Sequence, residues 1–157
     1  LMCRYLQPDG HVTTIDRYEL MLKDARKNIK RLGLEDKIKI IQDDAANVLP
    51  NLEGPYDFIF LDAAKGQYIQ FLPQILRLMP IGGVFVADDV LQGGNIAKSR
   101  FSLERRQRTI HKRMRNFLWD ISHLDCLESS IIPIGDGIVL CTKIKEYVPK
   151  EGEFSDD

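Results

Sequence analysis

The stretch Phe58-Ile-Phe-Leu-Asp-Ala-Ala-Lys65 joins a short apolar run to a carboxylate and an amine. A second run of the same kind, Val84-Phe-Val-Ala87, is followed by Asp88 and Asp89. Short apolar runs of β-branched and aromatic residues are typical of buried parallel strands, and ligands of open α/β sheets bind at the carboxyl ends of such strands. Three carboxylates and one amine are therefore predicted to meet at one rim of a sheet.

This combination of side chains indicates a particular chemistry. Carboxylate oxygens suit hard divalent cations such as Mg²⁺, and a nearby lysine can serve as a base once its pKa is lowered. The rim is therefore a candidate site for metal-assisted proton removal.

Composition limits the class of protein to which this site can belong. The chain has 157 residues, 44% of them hydrophobic and 29% charged, which fits one globular domain. A net charge of −1 argues against a protein that coats nucleic acid non-specifically. Cys3, Cys126 and Cys141 lack the paired spacing of a zinc site and are interpreted as reduced thiols. No apolar run approaches the ~20 residues that span a bilayer, so we expect a soluble, cytoplasmic protein with no membrane association.

Strands and helices are predicted to alternate along the chain, which is typical of an α/β fold with a mostly parallel sheet. A short linker, Pro133-Ile-Gly-Asp-Gly137, predicts that the last two strands form an antiparallel hairpin. The acidic tail 149–157 is predicted to be disordered. Predicted strands cover 11–15, 38–41, 58–61, 84–87, 124–132 and 138–144, and predicted helices cover 18–32, 45–52, 68–79 and 103–120.

The helix predicted at 103–120 has one apolar face and one strongly basic face. The segment Lys98-Arg115 contains eight Lys or Arg and one Glu. Such a surface is usually only solvated, although it could also follow the phosphates of RNA or bind an anionic substrate. His111 is interpreted as part of the basic surface and Trp119 as a packing residue. Tyr68 is interpreted as a packing residue that could line a pocket. The residues predicted to face inward are Leu103, Ile110, Met114, Phe117 and Ile121.

Acidic residues follow four predicted strands, at Asp16, at Asp43 and Asp44, at Asp62, and at Asp88 and Asp89. An acidic residue at the end of a strand in a nucleotide-binding unit commonly accepts hydrogen bonds from ribose hydroxyls, the role proposed for Asp16. The alternative is that each one caps the following helix. The glycine pattern Gly-x-Gly-x-x-Gly between a strand and a helix does not occur in this sequence.

Several motifs, in order from about residue 9 to residue 145, resemble one family. They are Asp9-Gly-His-Val-Thr-Thr-Ile-Asp16, Gln42-Asp-Asp-Ala45, Phe60-Leu-Asp-Ala-Ala-Lys65, Pro80-Ile-Gly-Gly83, Asp88-Asp-Val90 and Ile132-Pro-Ile-Gly-Asp-Gly137. With these motifs the sequence is similar to the metal-dependent O-methyltransferases related to the caffeoyl-CoA and catechol methyltransferases. Two of the motifs look most like a bacterial branch that includes the tRNA 5-hydroxyuridine methyltransferase.

The resemblance implies a Rossmann-like methyltransferase fold that binds S-adenosylmethionine. Asp16 would bind the ribose of this cofactor, Asp44 and Ala45 would lie beside its adenine, and Asp62 is assigned to the cofactor site as well. A divalent cation such as Mg²⁺ would be held by Asp62, Asp88 and Asp89. Lys65 would be the catalytic residue that assists deprotonation of the acceptor hydroxyl.

Two departures from the family pattern qualify these roles. The family usually has Asn where this chain has Asp89, and the extra negative charge should favour a cation. The family pattern also begins with a helical segment, a central strand and a glycine-containing loop that are absent from this sequence. Removing a central strand would leave the edges of its neighbours unpaired, which is a liability in a parallel sheet. We therefore expect residues 1–148 to be an N-terminally truncated methyltransferase domain, either a piece of a longer chain or incomplete as an enzyme.

The resemblance leaves the methyl acceptor open. Catechol-like small molecules and 5-hydroxyuridine in tRNA both offer a hydroxyl beside a second oxygen, so the metal site does not distinguish them. A homodimer is also left open. Two other functions compete with methyl transfer: a receiver-like signalling domain phosphorylated at Asp62, and a module that keeps the fold without the activity.

Overall fold

The computed structural model describes residues 1–149, so the predicted disorder of the tail lies largely outside the described residues. Ten regular elements alternate as the sequence predicts, with short 3₁₀ turns between several of them. They are β1 (Val12–Asp16), α1 (Glu19–Arg31), β2 (Ile38–Gln42), α2 (Ala45–Val48), β3 (Phe58–Leu61), α3 (Tyr68–Leu78), β4 (Val84–Ala87), α4 (Arg108–His123), β5 (Leu127–Ile132) and β6 (Ile138–Lys143).

The chain divides into two compact units, the first covering Leu1–Leu52. In this unit β1 and β2 pair in parallel, and Asp16 at the end of β1 lies opposite Gln42 at the end of β2. Helix α1 buries Leu22, and Gly33 ends it with a φ of +60°, a conformation that glycine adopts without strain. The parallel pairing places the predicted acidic strand ends of this unit at one edge.

The second unit begins at Glu53 and contains a four-stranded sheet in the order β3-β4-β6-β5. Strands β3 and β4 are parallel, whereas β6 pairs antiparallel with both β4 and β5. The predicted terminal hairpin is therefore confirmed. Its second strand, β6, also pairs with β4, the strand that Asp88 follows. The predicted single domain over residues 1–148 stays a prediction.

Helices α3 and α4 supply most of the apolar core of the second unit. Tyr68, Phe85 and Phe117 are fully buried, and the ring of Phe117 meets the other two edge to face at centroid distances of 5.5 and 6.4 Å. Burial of a large apolar side chain contributes about 1.5–3 kcal/mol. This aromatic cluster therefore fixes the start of α3, which lies next to the end of β3.

Helix α4 begins five residues later than predicted, at Arg108. The preceding segment forms 3₁₀ turns at Gln92–Ala97, Arg100–Ser102 and Arg105–Gln107. The guanidinium of Arg108 donates to the carbonyl oxygens of Leu103 and Phe101 at 3.1 and 3.4 Å, which satisfies backbone groups that a continuous helix would have used internally.

The predicted inward face of α4 was partly wrong. Met114, Phe117 and Ile121 are fully buried, but Ile110 is 41% exposed and its neighbour His111 is only 3% exposed. Trp119 is also not a packing residue, because 65% of its surface is exposed and its ring stacks on His123. Among residues 1–149, no helix is long and apolar enough to cross a membrane.

Candidate active site

The carboxyl ends of β3 and β4 lie side by side, as the sequence predicts. Leu61 pairs with Ala87 in the parallel ladder, and the amide of Asp88 donates to the carbonyl oxygen of Leu61 at 3.0 Å. Asp62 and Asp88 therefore leave their strands as direct neighbours. The positions of these carboxylates follow from strand register alone.

Lys65 lies between two of the predicted metal ligands. Its Nζ is 3.1 Å from Oδ1 of Asp62 and 3.3 Å from Oδ2 of Asp89, and it also donates to the Tyr68 hydroxyl at 3.1 Å. The lysine side chain is 19% exposed, whereas that of Asp62 is 58% exposed. The structure thus brings together the predicted base and two predicted ligands around one ammonium group.

The surroundings of Lys65 act on its pKa in opposite directions. Burial lowers its pKa, but hydrogen bonds to the Tyr68 hydroxyl and to the carboxylates of Asp62 and Asp89 outweigh burial, so the pKa of Lys65 is raised. The assignment of Lys65 as the catalytic base, which needs a lowered pKa, stays a prediction. Burial also raises the pKa of Tyr68, which keeps its phenol protonated.

Asp88 and Asp89 form a tight turn directly after β4. The amide of Asp89 donates to Oδ1 of Asp88 at 2.7 Å, and Asp89 has a φ of +57°. Asp and Asn are the non-glycine residues that enter this left-handed region most readily. This explains how an Asp can stand where the resembled family usually has Asn.

The carboxylates at this edge suit a hard cation. Those of Asp62 and Asp89 already lie beside the Lys65 ammonium, and Asp88 carries a third carboxylate directly after β4. Within residues 1–149, however, no three or more His, Cys, Asp or Glu side chains are grouped closely enough to form a metal site. The metal assignment of Asp62, Asp88 and Asp89 therefore stays a prediction.

A cavity of about 330 Å³ opens beside this cluster. Its wall combines polar side chains from the loop after β4 with the apolar side chains of Leu103 and Ile110. Sequence reasoning missed most of these residues, because they come from 3₁₀ turns and a hairpin loop with no periodic signal. The lining residues are Lys65, Asp89, Gln92, Gly93, Asn95, Leu103, Gln107, Ile110, His111 and Asp136.

His111 is the buried polar residue of this wall. It is 3% exposed, and its Nε2 lies 3.2 Å from the carbonyl oxygen of Lys98. The prediction that it belongs to the basic surface is wrong, because the buried face of α4 includes His111 and not Ile110.

The hairpin loop between β5 and β6 holds the loop that follows β4. The amide of Val90 donates to the carbonyl oxygen of Gly137 at 3.0 Å, and that of Leu91 donates to the carbonyl oxygen of Asp136 at 2.8 Å. Gly137 has a φ of +86°, and a Cβ on it would lie 2.7 Å from Cβ of Leu91. This glycine is therefore required both by backbone conformation and by close approach.

Replacing Gly137 by Ala is expected to destabilise the protein by about 2–6 kcal/mol, because left-handed strain and a side-chain clash each cost about 1–3 kcal/mol. Gly135→Ala is the matched control: Gly135 has a φ of +59°, but no atom lies within 4 Å of an added Cβ. Urea unfolding measures both, and equal midpoints for the two variants would show that Leu91 moves away at no cost.

In the first unit, Asp16 and Asp44 lie at the carboxyl ends of β1 and β2. Oδ1 of Asp16 accepts from the amide of Tyr18 at 2.8 Å. Asp44 is the N-cap of α2, where Oδ1 accepts from the amide of Ala46 at 2.9 Å, and its Oδ2 pairs with Arg17 at 2.7 Å. The hydrogen bond to Ala46, followed by the ion pair with Arg17, lowers the pKa of Asp44. The capping role is thus observed for Asp44, while the cofactor roles of Asp16, Asp44 and Ala45 stay predictions.

The basic segment 98–115 is only partly available to a ligand. Arg113 donates to the carbonyl oxygen of Gly66 and Arg115 to that of Ile96, both at 3.3 Å, as Arg108 does to the turn before α4. Arg106 pairs with Glu104 at 2.7 Å. At least three of the arginines therefore donate to backbone carbonyl oxygens, a role that neither sequence-based interpretation of this segment included.

Cysteine chemistry does not contribute to the site. Cys141 is fully buried in β6, and burial raises the pKa of its thiol to about 12. A thiol with so high a pKa is not a nucleophile near neutral pH.

The family model described as O-methyltransferase matches residues 1–144. Caffeoyl-CoA O-methyltransferase of Populus kitakamiensis is 32% identical over 145 residues, which cover 88% of this chain and 62% of that protein. A structure described as a putative caffeoyl-CoA O-methyltransferase from Staphylococcus aureus is 28% identical, with a TM-score of 0.77 and coverage of 87% of this chain and 66% of that chain. An O-methyltransferase from Bacillus cereus in complex with SAH is 23% identical, with a TM-score of 0.79 and coverage of 90% and 66%.

The chain belongs to the O-methyltransferase family. The predicted resemblance and the Rossmann-like methyltransferase fold are therefore confirmed, and the tRNA branch stays a prediction. The chain spans less than two thirds of the length of the curated relatives it matches, at 61–62% for several of them.

Proposed function

We propose that the protein is a methyltransferase that uses S-adenosylmethionine and a divalent cation to methylate a hydroxyl with a vicinal oxygen on a small molecule. The observation that carries the proposal is the cluster of Lys65, Asp62 and Asp89 at the adjoining ends of β3 and β4, beside a cavity of about 330 Å³. Membership of the O-methyltransferase family supports the same reaction.

The sequence-based assignments give each candidate residue a role in the proposed reaction. Asp16, Asp44 and Ala45 are proposed to bind the ribose and adenine of the cofactor, and Asp62 is proposed to contribute to the same cofactor. Asp62, Asp88 and Asp89 are proposed to hold the cation, since their oxygens are the ligands that Mg²⁺ and similar ions prefer. When bound, the cofactor would supply an electrophilic methyl group, and the cation would acidify the acceptor hydroxyl and orient its two oxygens.

Lys65 is proposed to receive the proton that leaves the acceptor hydroxyl. Burial is the largest single influence on its pKa and lowers it, while hydrogen bonds to the Tyr68 hydroxyl, Asp62 and Asp89 together outweigh burial and raise the pKa. A cation held by Asp62 and Asp89 would weaken two of these three hydrogen bonds and so lower the pKa of Lys65 from this raised value. The proton then passes from the acceptor oxygen to Nζ as the methyl group is transferred to that oxygen.

The wall of the cavity favours a small aromatic acceptor. Leu103 and Ile110 offer apolar surface, and Gln107, Asn95 and Asp136 offer hydrogen-bonding groups around it. Caffeoyl-CoA in the name of one relative is consistent with such an acceptor. The tRNA acceptor stays an alternative prediction, and the arginines that hold backbone carbonyls weaken the case for the basic segment as an RNA surface.

The test is methyl transfer from labelled S-adenosylmethionine to catechol, to phenol and to tRNA that contains 5-hydroxyuridine, with Mg²⁺ and then with EDTA. We expect transfer to catechol that EDTA abolishes, and no transfer to phenol, which lacks the second oxygen. Transfer to the tRNA with none to catechol would replace the small-molecule acceptor by the RNA.

Two further outcomes would overturn the proposal more broadly. Transfer that continues in EDTA would remove the role of the cation. A folded protein that binds S-adenosylmethionine in calorimetric titration but methylates no acceptor, or that fails to bind the cofactor, would favour a module without activity. Phosphorylation of Asp62 by a small phosphodonor would favour the receiver-like alternative.

A further inference from the structure

The hydroxyl of Tyr68 is the buried point at which the parts of the candidate site meet. Tyr68 is the first residue of α3 and is fully buried. Its oxygen lies 3.1 Å from Nζ of Lys65 and 3.3 Å from the amide nitrogen of Ala63. It also lies 3.3 Å from the carbonyl oxygen of Leu61 and 3.1 Å from that of Asp88.

These four neighbours match what a phenol can do. A tyrosine hydroxyl donates one hydrogen bond and accepts up to two. It can accept from Lys65 and from the amide of Ala63 while it donates to the carbonyl oxygen of Leu61 or of Asp88. Because the site is buried, each of these polar groups would lack this partner if the hydroxyl were removed.

The carbonyl groups belong to the two strand ends that carry the carboxylates. Leu61 immediately precedes Asp62, and Asp88 immediately precedes Asp89, whose backbone is in the left-handed region. The same hydroxyl also fixes the amine that pairs with Asp62 and Asp89. One oxygen atom therefore connects the ends of β3 and β4 with the side chain between them.

The ring of Tyr68 has a separate role. It packs edge to face on Phe117 at a centroid distance of 5.5 Å, inside the core formed by α3 and α4. Packing of the ring and bridging by the hydroxyl can therefore be altered independently, by changes at residues 117 and 68.

We propose that Tyr68 is a positioning residue. Its hydroxyl sets the spacing of the carboxylates that follow β3 and β4, and it holds the Lys65 ammonium group between them. The inference rests on the proposed function for its effect on catalysis. The local geometry that it describes is a property of the protein with or without ligands.

The test compares Tyr68→Phe, which keeps the ring and removes the hydroxyl, with Phe117→Leu, which alters the packing and keeps the hydroxyl. Hydrogen exchange followed by mass spectrometry, without cation or cofactor, reports on segments 61–68 and 87–91. Calorimetric titration with Mg²⁺ and steady-state kinetics with catechol are measured on the same proteins, well below their unfolding temperatures.

For Tyr68→Phe we expect faster exchange in both segments, Mg²⁺ affinity lower by about 10- to 100-fold, as for lost support of metal ligands, and a lower kcat with little change in the KM for catechol. Phe117→Leu should lower the unfolding temperature with smaller effects on exchange in the two segments and on Mg²⁺ affinity, because the bridging hydroxyl stays in place. Equal exchange in the two variants, or unchanged exchange, Mg²⁺ affinity and kcat in Tyr68→Phe, would overturn the inference.

Failure of the proposed function has a different signature. A wild-type protein that neither binds Mg²⁺ nor methylates catechol would remove that function, and the exchange of the two segments would then decide the role of Tyr68 by itself. Unchanged exchange in Tyr68→Phe would overturn the positioning role in that case, and faster exchange confined to the two segments would support it.

Discussion

Replacing Asp62 by Ala is expected to weaken Mg²⁺ binding and to slow methyl transfer by at least about 100-fold, because a bound cation supplies several kcal/mol of charge stabilisation. Asp62 is one of two carboxylates already paired with Lys65, and its side chain is 58% exposed. Removing an exposed ion pair costs only about 0–1 kcal/mol of stability. The variant should therefore fold normally while it loses function, which calorimetric titration and a methyl-transfer assay check together.

Asp57→Ala is the matched control for this change. Asp57 is an exposed carboxylate just before the other end of β3, so its removal changes the net charge equally without touching the cluster. Asp89→Asn is the informative companion, since Asn keeps an oxygen ligand and tolerates the φ of +57°. Normal turnover by Asp62→Ala, or an equal loss in Asp57→Ala, would contradict the proposed metal site.

The strands and the acidic rim could be predicted from the sequence because their signals are local. Four of the predicted strands are followed by Asp, and parallel pairing brings the ends of neighbouring strands together without further information. The structure agrees at Leu61 and Ala87, which pair at the ends of β3 and β4. Strand register therefore accounts for the positions of Asp62 and Asp88.

Helix α4 shows what local signals do not determine. Met114, Phe117 and Ile121 are buried as predicted, but the edge of the buried face includes His111 and not Ile110. Neighbouring helix positions lie about 100° apart, so periodicity does not decide which of the two is covered. The late start at Arg108 depends on its hydrogen bonds to the carbonyl oxygens of Leu103 and Phe101. Those contacts belong to the tertiary structure, so periodicity could not reveal them.

The ionisation of Lys65 could not be predicted for a related reason. The sequence places an amine near carboxylates, but the sign of the pKa change depends on a balance between burial and hydrogen bonds. Tyr68 contributes to that balance through a hydroxyl aimed at Nζ. The spacing along the chain shows that Lys65 and Tyr68 are close, but it does not show that the ammonium group contacts the hydroxyl.

Lys143 is a buried lysine that sequence reasoning missed, and replacing it by Met is expected to cost about 2–6 kcal/mol of stability. Its Nζ donates to the carbonyl oxygens of Leu76 and Met79 at the end of α3, at 3.1 and 2.8 Å, and the residue is 3% exposed. In a continuing helix the carbonyl oxygen of Leu76 would accept from residue 80, but Pro80 has no N–H group. The side chain of Lys143 therefore supplies the hydrogen-bond donor that the backbone lacks at the end of α3.

Methionine keeps most of the volume of Lys143 and removes its ammonium group, so the two buried carbonyl oxygens would lose their donor at about 1–3 kcal/mol each. Lys145→Met is the matched control, because Lys145 is exposed two residues further along the chain. Glu146 pairs with Lys143 at 3.0 Å but is 72% exposed, so Glu146→Gln should change stability by less than about 1 kcal/mol. Urea unfolding of the three variants tests whether the carbonyl groups or the ion pair account for the buried lysine. A Lys143→Met midpoint equal to that of Lys145→Met would show that α3 ends without its help, and a large effect of Glu146→Gln would assign the stability to the ion pair instead.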